Sequence, residues 1–113
     1  MHVAADICEL PVRFAARGDV SVLKLLDESG YGHDRGSISV DVVFAYLAQH
    51  PNLVNAWLGY SADKRVSSGW YFKETPGNMF EVGYYPAGER LSIGDRTRAC
   101  AEFIVREVRA IAG

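Results

Sequence analysis

The chain has 113 residues, of which 49% are hydrophobic and 23% are charged, and its formal net charge is −2. This length fits one domain that buries a core without disulfides or metal, and the composition is globular rather than disordered. The mild negative charge argues against direct binding of nucleic acid. Because no apolar run resembles a signal peptide or a membrane span, we expect a cytoplasmic protein that does not bind a membrane.

Charge is distributed unevenly along the sequence. Residues 1–63 hold eight acids and four bases, a net charge of −4, whereas residues 64–113 hold six acids and eight bases, a net charge of +2. An acidic N-terminal half suits a basic partner, although ordinary solvated helix faces give the same pattern. The acids that we expect to face such a partner are Asp27, Glu28, Asp34 and Asp41.

The N-terminal half predicts short helices. Residues 1–18 have apolar side chains at helical spacing but carry Pro11 in the middle, so we treat them as a packed or poorly ordered arm and residues 19–113 as the single domain. One helix follows a cap at Asp19 or Ser21 and stops at Gly30.

Two further helices are predicted on either side of a proline. One begins after a Ser39 cap and ends by His50, because Pro51 disfavours helical geometry in the residue before it. Pro51 is itself suited to open the next helix, which runs to about residue 61.

Two strands, over residues 69–74 and 79–85, are indicated by alternating side chains, with a Pro76-Gly77 turn between them and a short third strand permitted at 91–93. The predicted core-facing side chains are Trp70, Phe72, Phe80, Val82 and Tyr84. The outward set, which is either a partner-binding patch or a series of good cross-strand pairs, is Tyr71, Lys73, Glu81 and Tyr85.

Asp95 is positioned to cap a long C-terminal helix that runs to Ala112. Its predicted buried stripe is Cys100, Phe103, Ile104, Val108 and Ile111, and its predicted solvated side chains are Arg96, Arg98, Arg106, Glu107 and Arg109. The expected fold class is therefore α+β: N-terminal short helices, a two- or three-stranded antiparallel β-meander, and a long C-terminal helix.

The sequence contains no recognisable catalytic, cofactor or metal site. The three histidines lack metal-ligand spacing, and the two cysteines, Cys8 and Cys100, are too few for a disulfide framework, although a single bridge remains open. The glycines near Gly30 have neither P-loop nor dinucleotide-binding spacing. We expect no catalytic residue, no cofactor and no metal.

A dense polar run between residues 60 and 72 is the one segment that suggests a positioned surface. Protein interfaces favour Arg, Trp and Tyr at their hot spots. The candidate partner-binding residues here are Asp63, Lys64, Arg65, Tyr60, Trp70 and Tyr71. A structural role is at least as well supported, with Asp63 capping the helix or pairing with Arg65. A serine nucleophile in this run would need a base, and no histidine lies close in sequence.

The passages HPNLVNAWLGYSADKRVSSGWYF, FEVGYY and ACAEFIVREV resemble small bacterial immunity proteins, including those encoded beside contact-dependent growth-inhibition toxins. The resemblance covers residues 20–112 and is most specific from Trp57 to Phe72. It implies a non-enzymatic inhibitor that binds a cognate toxin domain, as a monomer in a one-to-one complex, and blocks its active site or access to substrate. Many such toxins are nucleases with basic clefts, which the acidic side fits.

Two other classes of function stay open. A small enzyme or ligand-binding domain would use the Asp63-Lys64-Arg65 loop, and Asp63→Ala would then abolish activity without unfolding the protein. An accessory protein would instead self-associate through its tyrosine face, which light scattering would detect.

Overall fold

The computed structural model of the chain describes residues 3–17, 21–33, 36, 38–63, 69–86 and 88–112. The elements are α1 (Val3–Cys8), α2 (Leu10–Arg17), α3 (Val22–Ser29), a 3-10 turn (Tyr31–His33), α4 (Val40–Gln49), α5 (Asn52–Asp63), β1 (Gly69–Thr75), β2 (Met79–Tyr85), β3 (Arg90–Ile93) and α6 (Arg96–Ala112). The three strands form one antiparallel sheet in the order β1-β2-β3. The predicted α+β fold is confirmed.

Three helices begin at side chains that satisfy the free N–H groups of the first turn. Ser21, Ser39 and Asp95 each accept a hydrogen bond from a backbone N–H two or three residues further along, at 2.9 to 3.2 Å. Gly30 ends α3 with a φ of 85°, and its N–H returns to carbonyls of the preceding turn. The choice between Asp19 and Ser21 is thereby settled in favour of Ser21.

The sheet lays one face on α6, and its register sets which side chains that face carries. Phe72 pairs with Val82, and Val82 pairs with Leu91, so three apolar side chains cross the sheet in one row. Phe72, Phe80 and Val82 are buried, as predicted. The turn from β1 to β2 uses positive φ at both Gly77 (82°) and Asn78 (60°).

The N-terminal segment 3–17, which the sequence predicted as a packed or poorly ordered arm, contains two helices. Val3, Ile7, Cys8 and Leu10 are buried in the same core as the rest of the chain. Pro11 lies in the first turn of α2, where the missing N–H of proline breaks no helical hydrogen bond. A new helix start at Leu10 therefore accommodates the proline that made one continuous helix implausible.

Tyr46 of α4 is hydrogen-bonded to the junction of α1 and α2. Its hydroxyl donates to Glu9 Oε2 at 2.5 Å, and its ring stacks on His50 with centroids 4.2 Å apart. The hydrogen bond to Glu9, followed by burial, raises the pKa of Tyr46 from 10.0 to about 12.

This bond predicts a loss of stability in alkali. Because the folded pKa of Tyr46 lies above the unfolded value, its contribution is complete below pH 10.0 and is lost as pH rises through about 12. We expect the stability difference between the wild type and Tyr46→Phe, from urea unfolding, to be largest below pH 10.0 and to shrink above it. The other tyrosines titrate in both proteins, so their contribution cancels in the difference between the two unfolding free energies. A difference that is constant across this range would contradict the assignment.

Candidate functional site

The polar run that the sequence singled out is only partly within the described residues. Asp63 is the last residue of α5, and β1 begins at Gly69. Lys64, Arg65 and Asp34 lie outside the described residues, as does the side chain of Asp63. Their roles in partner binding therefore stay predictions.

The selected acids lie on two different helices. Asp27 and Glu28 are exposed in the last turn of α3, and Asp41 is exposed in the first turn of α4. Asp41 pairs with Arg98 of α6 at 2.9 Å, and its side chain is 87% exposed, so the pair is a surface salt bridge of small energetic value. Part of the N-terminal negative charge is thus already compensated inside the molecule.

Tyr60 packs against the buried face of α6 and is hydrogen-bonded to it. Its hydroxyl donates to Glu107 Oε2 at 2.7 Å, and its ring packs edge-on against Trp57 and Phe103. Glu107 is only 4% exposed, so its prediction as a solvated side chain was wrong. Burial, then the charge of Glu107, raises the pKa of Tyr60 well above its usual range, which keeps the hydroxyl a donor to the carboxylate.

One end of the sheet carries four residues that we name the aromatic corner: Trp70, Tyr84 and Arg106 on the α6 side, and Tyr85 on the other face. Trp70 and Tyr84 face each other across β1 and β2 in a T-shaped pair, with ring centroids 5.3 Å apart. The guanidinium of Arg106 lies 5.6 Å from the centre of the Trp70 ring. Tyr84 is 37% exposed and Tyr85 57% exposed. Tyr84, predicted to face the core, instead lies at the margin of that face, where α6 no longer covers it completely.

Arg106 is itself fixed by two carboxylates. Its Nη1 donates to Glu102 Oε1 at 2.5 Å, and its Nε lies 3.6 Å from Glu89 Oε1 in the turn after β2. The Tyr84 N–H donates to the Glu89 carbonyl at 3.0 Å, which closes the same turn. A Cβ at Gly88 would lie 2.9 Å from the Tyr84 Cβ, so the turn needs a glycine to approach this side chain. Tyr84 is thus exposed and yet held in place.

Tyr71 lies on the opposite, outward face of the sheet. Its ring extends over Gly83 of β2, and its hydroxyl donates to Glu81 Oε2. Lys73 Nζ lies 5.5 Å from the centre of the Tyr71 ring. Burial, then the bond to Glu81, raises the pKa of Tyr71, and the charge of Arg90 opposes that rise. Trp70 and Tyr71 are sequence neighbours, but the strand directs them to opposite faces.

Part of this site was not predictable from the sequence. The spacing of α6 marked Arg106 only as a solvated side chain, and the turn after β2 carried no signal for Glu89. Both residues become relevant through contacts with Trp70 and Tyr84 that join α6 to the sheet. The two adjacent tyrosines at the end of β2 were the available signal, although only Tyr85 was predicted to face outward.

The two cysteines are free and buried. Burial, then the charge of Glu9, raises the pKa of the Cys8 thiol to about 12, and burial likewise raises that of Cys100. Both groups are therefore held as neutral thiols, which are poor nucleophiles.

Within the described residues, no group of three or more His, Cys, Asp and Glu side chains is arranged to hold a metal ion. The same part of the chain contains no helix with the length and apolarity that crossing a membrane requires. Comparison of the chain with protein-family models, curated proteins and solved structures found no match.

Proposed function

We propose that this chain is a protein-binding domain that acts as a bacterial immunity protein: in the cytoplasm of the producing cell it binds the toxin domain of a polymorphic toxin and blocks its action. The observation that carries the proposal is the aromatic corner. Tyr84 is exposed beside Trp70, over which Arg106 lies, and Tyr85 is exposed on the other face of the same end of the sheet. Tyr, Trp and Arg are the residue types enriched at interface hot spots.

The fixed geometry of the corner supports a binding role. An exposed aromatic side chain that is already immobilised loses little conformational entropy when a partner covers it, so more of the contact energy appears as affinity. The Tyr84 side chain meets this condition through its contacts with Trp70 and with the turn at Gly88, and its backbone N–H is fixed by the hydrogen bond to the Glu89 carbonyl. The resemblance of residues 20–112 to immunity proteins supplies the class of partner, a toxin domain.

The proposal predicts tight binding to a specific neighbour in the genome. We expect the C-terminal domain of the protein encoded immediately upstream to bind with nanomolar affinity, about −12 kcal/mol, in isothermal titration calorimetry. Tyr84→Ala should weaken that binding by about 2 kcal/mol or more, as truncation of a hot-spot residue does.

Phe14→Ala is the matched control, because Phe14 is an aromatic residue of nearly equal exposure, 39%, on α2. Circular dichroism of both variants checks that they are folded. Absence of binding by the upstream domain would refute the immunity function. Equal losses in the two variants would leave that function standing and remove the corner from the interface.

A further inference from the structure

The outward face of the sheet continues from the aromatic corner and carries excess positive charge. We name it the outer face and define it by Tyr71, Lys73, Glu81, Arg90 and Tyr85. The register places Tyr71, Gly83 and Arg90 in one row across the three strands, and Lys73 and Glu81 in the next row. Tyr85 lies two residues beyond Gly83 on the same face of β2, so it belongs to both surfaces.

The charges of the outer face are unequally compensated. Glu81 accepts the hydroxyl of Tyr71. Lys73 and Arg90 are exposed, and neither forms an ion pair within the part of the chain that the structure describes. The face thus holds two exposed cations and one carboxylate, which is already engaged.

Three acids of the helical side are engaged by partners within the molecule. Asp6 pairs with Arg13 at 2.9 Å, Glu9 accepts from Tyr46, and Asp41 pairs with Arg98. An excess of negative charge along residues 1–63 is therefore a weaker attraction for a partner than the count of acids suggests. Complementary potentials determine how partners orient and how fast they meet, so the two cations of the outer face that form no ion pair among the described residues indicate a partner with negative charge.

Resting on the proposed function, we propose that the bound toxin domain presents carboxylates to the outer face, with its acidic side chains against Lys73 and Arg90 and its apolar surface on Tyr71 and Tyr85. A protein fits this face better than a nucleic acid does. The carboxylates of a protein partner can be spaced so that none lies beside Glu81. The phosphates of a nucleic acid carry one negative charge per nucleotide, so one of them would lie close to Glu81 and be repelled. The orientation also differs from the one that an acidic inhibitor of a basic nuclease cleft would use.

The test compares two neutralised variants in calorimetry against the upstream toxin domain. Lys73→Gln/Arg90→Gln removes both positive charges. Glutamine is used because an acidic side chain at position 73 would lie directly opposite Glu81 and repel it. Asp27→Asn/Glu28→Gln removes two exposed acids of α3 as the matched control. We expect the first variant to bind roughly tenfold more weakly and to show less salt dependence, and the control to bind as the wild type does.

The opposite pattern, loss in the α3 variant alone, would overturn this orientation while leaving the immunity function intact.

If the upstream domain does not bind at all, the immunity function fails, and NMR of the labelled wild type with a short poly-glutamate peptide tests the outer face separately. Amide shifts confined to the three strands, abolished by high salt and by Lys73→Gln/Arg90→Gln, would support it. No shifts there, or larger shifts with single-stranded DNA, would overturn it.

Discussion

Trp57→Ala is expected to lower the free energy of unfolding by about 3–5 kcal/mol, as large aromatic truncations in a core do. Trp57 is fully buried, and its ring packs edge-on against Tyr60 and Phe103. Its Nε1–H donates to the Cys8 carbonyl at 2.8 Å, which links α5 to the N-terminal helices. A domain of this size has about 5–15 kcal/mol of stability in total, so the variant should unfold at a much lower urea concentration.

Trp70→Ala is the control for this experiment. Trp70 is half-buried at the end of the sheet, so its truncation removes less packing and should leave a native circular dichroism spectrum. Urea unfolding of the two variants under the same conditions gives the comparison. Equal losses would contradict the position of Trp57 at the centre of the core, and an unfolded Trp70→Ala protein would make Trp70 a core anchor rather than a surface residue.

Ser61→Ala is expected to cost about 1–3 kcal/mol, because it leaves a buried donor without its acceptor. The Ser61 hydroxyl oxygen accepts from the Phe72 N–H at 2.7 Å, where α5 covers the free edge of β1. The alanine side chain cannot accept this bond, and the site is buried. Urea unfolding should show the loss, and hydrogen exchange should be faster at the Phe72 amide in particular.

Ser92→Ala serves as the comparison for Ser61→Ala, since Ser92 is an exposed serine of β3. A surface substitution of this kind changes stability by about 0.5 kcal/mol or less. If Ser61→Ala were as mild as Ser92→Ala and the Phe72 amide kept its protection, the hydrogen bond between α5 and β1 would contribute nothing to the fold.

The sequence predicted which types of residue form the candidate site, but it predicted much less of how they are arranged in the fold. The polar run grouped Trp70 and Tyr71 as candidate partner-binding residues, although alternation along β1 also predicted that they face opposite sides of the sheet, as the structure has them. It also grouped Tyr60 with them, although the Tyr60 hydroxyl is engaged by Glu107. The roles of Asp63, Lys64 and Arg65 stay predictions.

What the sequence by itself determined was the local structure. Helix starts at Ser21, Ser39 and Asp95 depend on a side chain and an N–H within three residues, and the strand faces follow from alternation along β1 and β2. These interactions form wherever the chain goes next, so the pattern alone predicts them.

Only the tertiary structure decided which polar side chains are buried and which aromatic ones are presented. Glu107 is buried by the packing of α6, and the buried carboxylate accepts from Tyr60, 47 positions earlier. Arg106 lies over Trp70 because α6 packs across the end of the sheet. Such contacts depend on how whole elements pack against each other, and helical periodicity carries no information about a partner so distant in the chain.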